Sequence, residues 1–205
     1  MSKIIIGIDE SYTRTGVTIL KDKQIICIHS VNFEDCKTNV DKRRHLDVYL
    51  RQQINRLRKK NFDDITIIVE RIRLRSQGFL SEAYIKATGA LLSVIIAIGQ
   101  DYNIPTYSVD TRSWKALIVG DSRPLQNPYG INPEKYRTIV YLKQKGLLKY
   151  IVEEYNGKGT KGVINVKMNG QKVPCKINDD MADSYCIAMY GFLPETKQKL
   201  KEEKF

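Results

Sequence analysis

Four acidic residues stand where carboxylates are costly. Asp9 closes the run Ile4-Ile5-Ile6-Gly7-Ile8, and Glu70 closes Ile65-Thr66-Ile67-Ile68-Val69. Both runs are too apolar for surface strands and read as strands covered on both faces. Asp180 and Asp183 lie three apart in the stretch Asn178–Phe192, whose Met181, Ala182, Ile187 and Ala188 predict a buried helix. Residues at that spacing share a helix face, where like charges repel. An unpaired buried charge costs several kcal/mol, so these positions call for a charged partner, a hydrogen-bond network or a metal. A divalent cation explains the Asp180/Asp183 pair, and hard oxygen donors suit Mg²⁺ or Mn²⁺. Asp179 reads as a cap or a supporting residue; helical spacing to Asp183 favours Asp180 as the ligand and leaves Asp179 as the alternative. Taken alone, Asp9 reads first as a strand-end residue capping the polar turn Ser11–Thr15, and the acids further along the chain reverse that reading.

The elements that must position these residues follow in chain order. Gly16–Leu20 returns as a second strand and Gln24–Val31 as a third, across a Lys21-Asp22-Lys23-Gln24 turn without the favoured glycine, which makes an antiparallel meander. Asp41–Lys60 predicts a helix with Leu46, Leu50, Ile54 and Leu57 on its apolar stripe and a solvated basic face. In Asp64–Ile72, five of the six residues before Glu70 are β-branched, which selects strand over helix. Arg71, Arg73 and Arg75 follow in a loop closed by Gly78-Phe79, a cluster suited to an anionic substrate beside Glu70 or simply to solvent.

Ser81–Tyr102 predicts a long helix whose Ala83, Ala87, Gly89, Ala90 and Ala97 keep one side small for close approach. A strand over Ile104–Val109 leads to a short helix containing Trp114 and Lys115, then to the loop Ser122–Asn132. Asn132-Pro133 starts another helix that runs to about Lys145. Asn156–Lys176, with its Asn169-Gly170 pair, predicts a hairpin inserted before the final helix. The organisation expected is one domain over 1–193 with an insertion at 156–176, and a charged, frayed or solvent-exposed tail over 194–205.

Composition narrows the partners. Of 205 residues, 34 are Lys or Arg and 23 Asp or Glu, a net charge of +11 that favours polyanions, with nucleic acid ahead of a membrane surface. There is no signal peptide and no run of about 18 apolar residues. Cys27, Cys36, Cys175 and Cys186 form no CxxC pair, and with two His in the chain a zinc site or disulfide framework is not expected. These features predict a soluble protein of a reducing compartment, the cytoplasm.

Strand-end Asp9, strand-end Glu70, then helical Asp180 and Asp183, on an order of meander, helix, strand, helix, strand, helices, resemble the ribonuclease-H-like superfamily. GIDESYTRTGV, the IVER strand end and DDMADSYCIAMYG further resemble the RuvC family of Holliday-junction resolvases, of a phage type by its Lys- and Ile-rich composition. The resemblance implies an α/β fold: a mixed five-stranded sheet, an antiparallel meander followed by parallel strands, flanked by helices. It implies two divalent metals, Mg²⁺ or Mn²⁺, ~3.5–4 Å apart and held by Asp9, Glu70, Asp180 and Asp183. It also implies symmetric nicking of four-way junctions by a homodimer to 5′-phosphate and 3′-hydroxyl ends, and leaves open a helicase partner. Lys115, in Arg112-Ser-Trp-Lys-Ala-Leu-Ile-Val-Gly120, resembles the family's basic residue near the scissile phosphate, and Lys135 in NPEKYRTIV a second one. Where the family stacks an aromatic residue on junction bases this chain has Arg73, with Phe79 a substitute; Arg71, Arg73, Arg75, Phe79, Lys115 and Lys135 form the expected DNA-binding set.

Three other readings compete. The first stretch also resembles the phosphate motif of actin-like ATPases, but the chain has no later Asp-x-Gly-Gly loop. A non-catalytic binding module on the same fold would have no need of four carboxylates. A broader branched-DNA or RNA–DNA hybrid nuclease keeps the same chemistry on another substrate.

Overall fold

A computed structural model describes residues 2–71, 82–120, 133–152, 161–168, 171–194, 200 and 204–205. Strands β1 (Ile4–Asp9), β2 (Arg14–Lys21) and β3 (Gln24–Asn32) form the antiparallel meander; β4 (Ile65–Glu70) and β5 (Thr106–Val109) extend it in parallel, in the order β3-β2-β1-β4-β5. The expected mixed sheet is therefore present. Its turn at Asp22 and Lys23 takes positive φ (48° and 69°) without glycine, and the backbone amide of Lys3 donates to Asp22 Oδ1 at 2.9 Å to hold it.

Alternation along β1 divides the core. Ile4, Ile6 and Ile8 face α1 (Asn39–Arg58) and α2 (Glu82–Asp101), while Ile5 faces α5 (Asp179–Tyr190). Helix α1 starts two residues earlier than expected because Thr38 and Asp41 form a reciprocal capping box. Its Leu46, Leu50, Ile54 and Leu57 are buried, as the spacing predicts.

On the small side of α2, Ala87 is buried, while Ala97 is exposed and a Cβ on Gly89 would meet nothing within 4 Å. The helix makes its tight approach at Gly99, where a Cβ would stand 2.1 Å from Thr106 Oγ1. Helix α5 approaches the sheet backbone to backbone: a Cβ on Gly7 would stand 2.3 Å from Ser184 O, and one on Gly16 would stand 2.0 Å from Asp180 O. Glycine on two neighbouring strands lets the backbone of α5 lie directly on the sheet.

Thr111–Trp114 (α3) runs into a π-helical turn, Lys115–Val119, and α4 spans Pro133–Gln144. Beyond it, β7 (Lys161–Met168) and β8 (Gln171–Ile177) pair antiparallel across the span expected as a hairpin, and β6 (Leu148–Val152), which lies before that span, adds a third antiparallel strand. The chain end also differs from a frayed tail: Leu200 is buried, and the Phe205 amide donates to Thr106 O at 3.2 Å on the outer strand β5. Among the described residues, no helix is long and apolar enough to cross a membrane, and Cys27, Cys36 and Cys186 are free thiols.

Candidate active site

The parallel register that pairs Ile8 with Val69 sets the next residues, Asp9 and Glu70, side by side at the ends of β1 and β4. Both fall on the face that α5 covers, since Ile5 and Ile68 of the same parity pack into the α5 core. The two carboxyls stand close enough for the Glu70 charge to act on Asp9. The Thr111 hydroxyl, from the first turn after β5, donates to Glu70 Oε1.

Helix α5 brings the other two acids. Asn178 caps it by accepting from the Met181 amide at 2.9 Å. Its axis is fixed from below by the two glycines and by the Thr18 and Ser184 hydroxyls, which meet at 2.8 Å. At its far end Lys3 Nζ donates to Gly191 O at 2.8 Å. Asp180 and Asp183 then lie close enough to Asp9 for their charges to act on it.

Burial raises the Asp9 carboxyl well above the usual range, and the charges of Glu70, Asp183 and Asp180 add to it. Burial pushes Asp183 up to about 7; the Lys115 ammonium opposes this, Glu70 adds to it, and a hydrogen bond with Thr138 opposes it. Lys115 thus stands beside the carboxylates, at the head of the π-helical turn that Gly120 ends with φ +82°. Such turns recur at functional sites because they re-aim a single side chain.

Two features were not anticipated. Arg14, on β2, binds both first-turn acids of α5: its Nη2 reaches Asp179 Oδ1 at 3.0 Å, and its Nε bonds Asp180 Oδ2. Asp179 and Asp180 therefore share one cation. The second is Glu10, 8% exposed, with neither carboxylate oxygen hydrogen-bonded. Burial, and then the Glu70 charge, push it up to about 8. Beside Asp9 in sequence it reads as a turn residue; the only signal was a second acid directly after the strand.

Arg71 turns back onto β5, donating to Ser108 Oγ from Nη2 at 3.2 Å. Lys135 falls in the first turn of α4. Arg73, Arg75 and Phe79, and the loop Ser122–Asn132, lie outside the described residues.

The donor set fits a hard divalent cation. Asp183 Oδ1 is sealed from solvent and has no hydrogen-bond partner, and the buried Asp9 carboxyl lies under the charges of Glu70, Asp183 and Asp180. Among the described residues no three acidic, His or Cys side chains already stand in a cation cage. Asp180 is bonded to Arg14 and Glu70 to Thr111, so cation binding would exchange or share those contacts.

No family model matches the sequence, and no curated protein matches it. The structure does have neighbours. The structure of T. thermophilus RuvC in complex with a Holliday junction substrate matches it with a TM-score of 0.59 over 99% of each chain, at 11% identity. A structure of Thermus thermophilus RuvC matches with a TM-score of 0.55 over 91% of each chain, at 12% identity. At such identity the likeness is one of architecture: the chain has the RuvC-type, ribonuclease-H-like fold.

Proposed function

We propose that this protein is a divalent-metal-dependent nuclease that nicks branched DNA, with four-way junctions as its substrate. The observation that carries the reading is the convergence of Asp9 and Glu70, from adjacent parallel strand ends, with Asp180 and Asp183 of α5 and the ammonium of Lys115. These residues come from four separate elements and serve no evident structural purpose together.

Asp9, Glu70, Asp180 and Asp183 would hold Mg²⁺ or Mn²⁺, which lowers the pKa of water and neutralises charge on a phosphodiester. Water adds to phosphorus, the bond to the 3′ oxygen breaks, and the products are a 5′-phosphate and a 3′-hydroxyl. Lys115 supplies positive charge where the phosphate becomes more negative in the transition state. The Thr111 hydroxyl bonds Glu70 Oε1 and Thr138 bonds Asp183, and these contacts would hold the two carboxyls in place for a cation. The same reading places two copies of the chain as a homodimer, one site on each of two opposed strands.

The test is cleavage of a labelled four-way junction, a replication fork, a linear duplex and an RNA–DNA hybrid with Mg²⁺ or Mn²⁺. Wild type and Asp9→Asn are compared. The expected result is paired, symmetric nicks in the junction, abolished by Asp9→Asn. Cutting of forks and junctions alike would make the protein a broader debranching nuclease, and cutting of the hybrid would move it to the ribonuclease branch. Metal-dependent cleavage that survives Asp9→Asn would overturn the carboxylate assignment.

A further inference from the structure

We infer that Glu10 is a further carboxylate of the cation site, a ligand to a divalent ion that it holds together with Glu70. The inference rests on the cation-binding part of the nuclease reading and adds a residue to it. Glu10 is the first residue past the ladder of β1 with β2, whose last pair is Asp9 with Gly16, so strand alternation no longer fixes its direction. It is 8% exposed, and both carboxylate oxygens are sealed from solvent without a hydrogen-bond partner. The charged group that acts on it is Glu70, of the same sign.

The commonplace uses of an acid at this place do not apply. A carboxylate after a strand can hold the following turn by accepting from backbone amides. Glu10 accepts from none, and the Ser11 hydroxyl closes the turn instead by donating to Arg14 O. A buried carboxylate can also be paired with a side-chain cation. Arg14, at the far end of the same loop, is bonded to Asp179 and Asp180; Lys42, which reaches into the loop, donates to Tyr12 O at 3.0 Å and lies over the Tyr12 ring. Asp180 thus has Arg14 against it and Asp183 has Lys115, whereas no cation among the described residues acts on Glu10. The neutral acid is no better placed, since its O–H would need an acceptor. Two buried oxygens with neither a donor nor a counter-charge cost free energy. A hard divalent cation supplies both needs at once, and DNA, itself an anion, supplies neither.

The test is Mn²⁺ binding to the full-length protein without DNA, read from the electron paramagnetic resonance signal of free Mn²⁺. Wild type is compared with Glu10→Gln, Asp9→Asn and Asp63→Asn, the last an exposed acid before the start of β4 that serves as the control. Circular dichroism verifies folding of each. The expected result is affinity at least tenfold weaker in Glu10→Gln, since even residues behind the ligands typically cost about 10–100-fold, and no change in Asp63→Asn. Glu10→Cys supplies a readout that a packing role would not move: a thiolate is a soft donor, so preference for Cd²⁺ over Mn²⁺ should rise about tenfold or more above that of wild type. Wild-type Mn²⁺ affinity in folded Glu10→Gln, with loss in Asp9→Asn, would overturn the added ligand and leave the nuclease reading intact. An unchanged Cd²⁺ preference in Glu10→Cys, or a wild type that takes up no Mn²⁺, would also overturn it. Loss of Mn²⁺ in both Glu10→Gln and Asp9→Asn, from a wild type that cuts no nucleic acid, would sink the nuclease reading and leave the added ligand standing.

Discussion

On one side of the five-stranded sheet, Ile4, Ile6, Ile8, Ile67 and Val69 meet Leu46, Leu50, Ile54, Ile95 and Ile98 of α1 and α2, side chain against side chain. On the other side the sheet loses its side chains at Gly7 and Gly16, and the backbone of α5 sits on the gap, carrying Asp180 and Asp183 toward Asp9 and Glu70. An interface of side chains tolerates small shifts, because rotamers and neighbouring methyl groups can take up the difference. An interface of backbone on backbone has no such slack. The α1/α2 side therefore supplies stability, and the α5 side supplies position. Four substitutions separate these roles.

The largest effect is expected from Gly16→Ala. The new Cβ would lie 2.0 Å from Asp180 O and 2.4 Å from the Asp180 carbonyl carbon, and backbone cannot rotate out of the way. Helix α5 must move, at the upper end of the ~1–3 kcal/mol typical of overpacking. An ångström of displacement at reacting groups can cost on the order of 10²-fold in rate. Cleavage by folded Gly16→Ala protein should fall at least that far. A variant with wild-type rate per folded molecule would break the comparison.

Leu50→Ala tests the other side. Leu50 is 1% exposed on α1, and its truncation should cost about 2–5 kcal/mol in denaturant-measured stability. Cleavage per folded molecule should stay within about twofold of wild type, since Leu50 packs in the cluster on the side of the sheet away from α5. Loss of activity ahead of loss of fold would show that the two faces are coupled.

How much of this was legible beforehand follows the same division. The α1 stripe, the strand ends at Asp9 and Glu70, and the helix that carries Asp180 and Asp183 were readable because each is a local pattern of period two or 3.6. Placing Asp9 against Glu70 needed only the assumption of a parallel pair. Gly7 and Gly16 were not readable as docking points, because their meaning depends on where α5 crosses the sheet. The Arg14–Asp179 ion pair joins residues 165 apart in sequence, which no local pattern can announce. Glu10 was missed for the opposite reason: its neighbour Asp9 already explained an acid at the strand end. β6 was missed because Leu148–Val152 follows a helix directly and has little alternation of its own.

Glu10→Met is the third test. The native carboxyl is buried with neither oxygen hydrogen-bonded, and its folded pKa is about 8 against an ordinary 4.5. A raised carboxyl pKa means that the folded state binds the proton more tightly than the unfolded one. Its contribution to stability is fully present below pH 4.5 and is lost as pH rises toward 8. Without divalent metal, Glu10→Met should be about 1–3 kcal/mol more stable than wild type near pH 8, and the gap should shrink toward pH 5. An unchanged or lower melting temperature at pH 8 would mean that the carboxyl has a stabilising partner.

The smallest effect belongs to the α1/α2 side and has the opposite sign. His29 of β3 stacks on Tyr49 of α1, ring centroids 5.0 Å apart at 23°. Burial, and then the nearby His45, lower its pKa below the ordinary 6.5. Here the unfolded state binds the proton first. The stability contributed is complete above pH 6.5 and is lost as pH falls through the lowered folded value. His29→Phe keeps the stacked ring and removes the titration, so the stability of the variant relative to wild type should rise on going from pH 7.5 to pH 5.5, by less than about 1 kcal/mol because the residue is exposed and solvent screens its charge. Glu10→Met moves the other way over the same range, and a single pair of pH-dependent melts on the two variants therefore distinguishes the stabilising side from the charged end of the sheet. A constant difference between His29→Phe and wild type would show that the imidazole keeps its ordinary pKa in the fold and that this side carries no acid-sensitive group at His29.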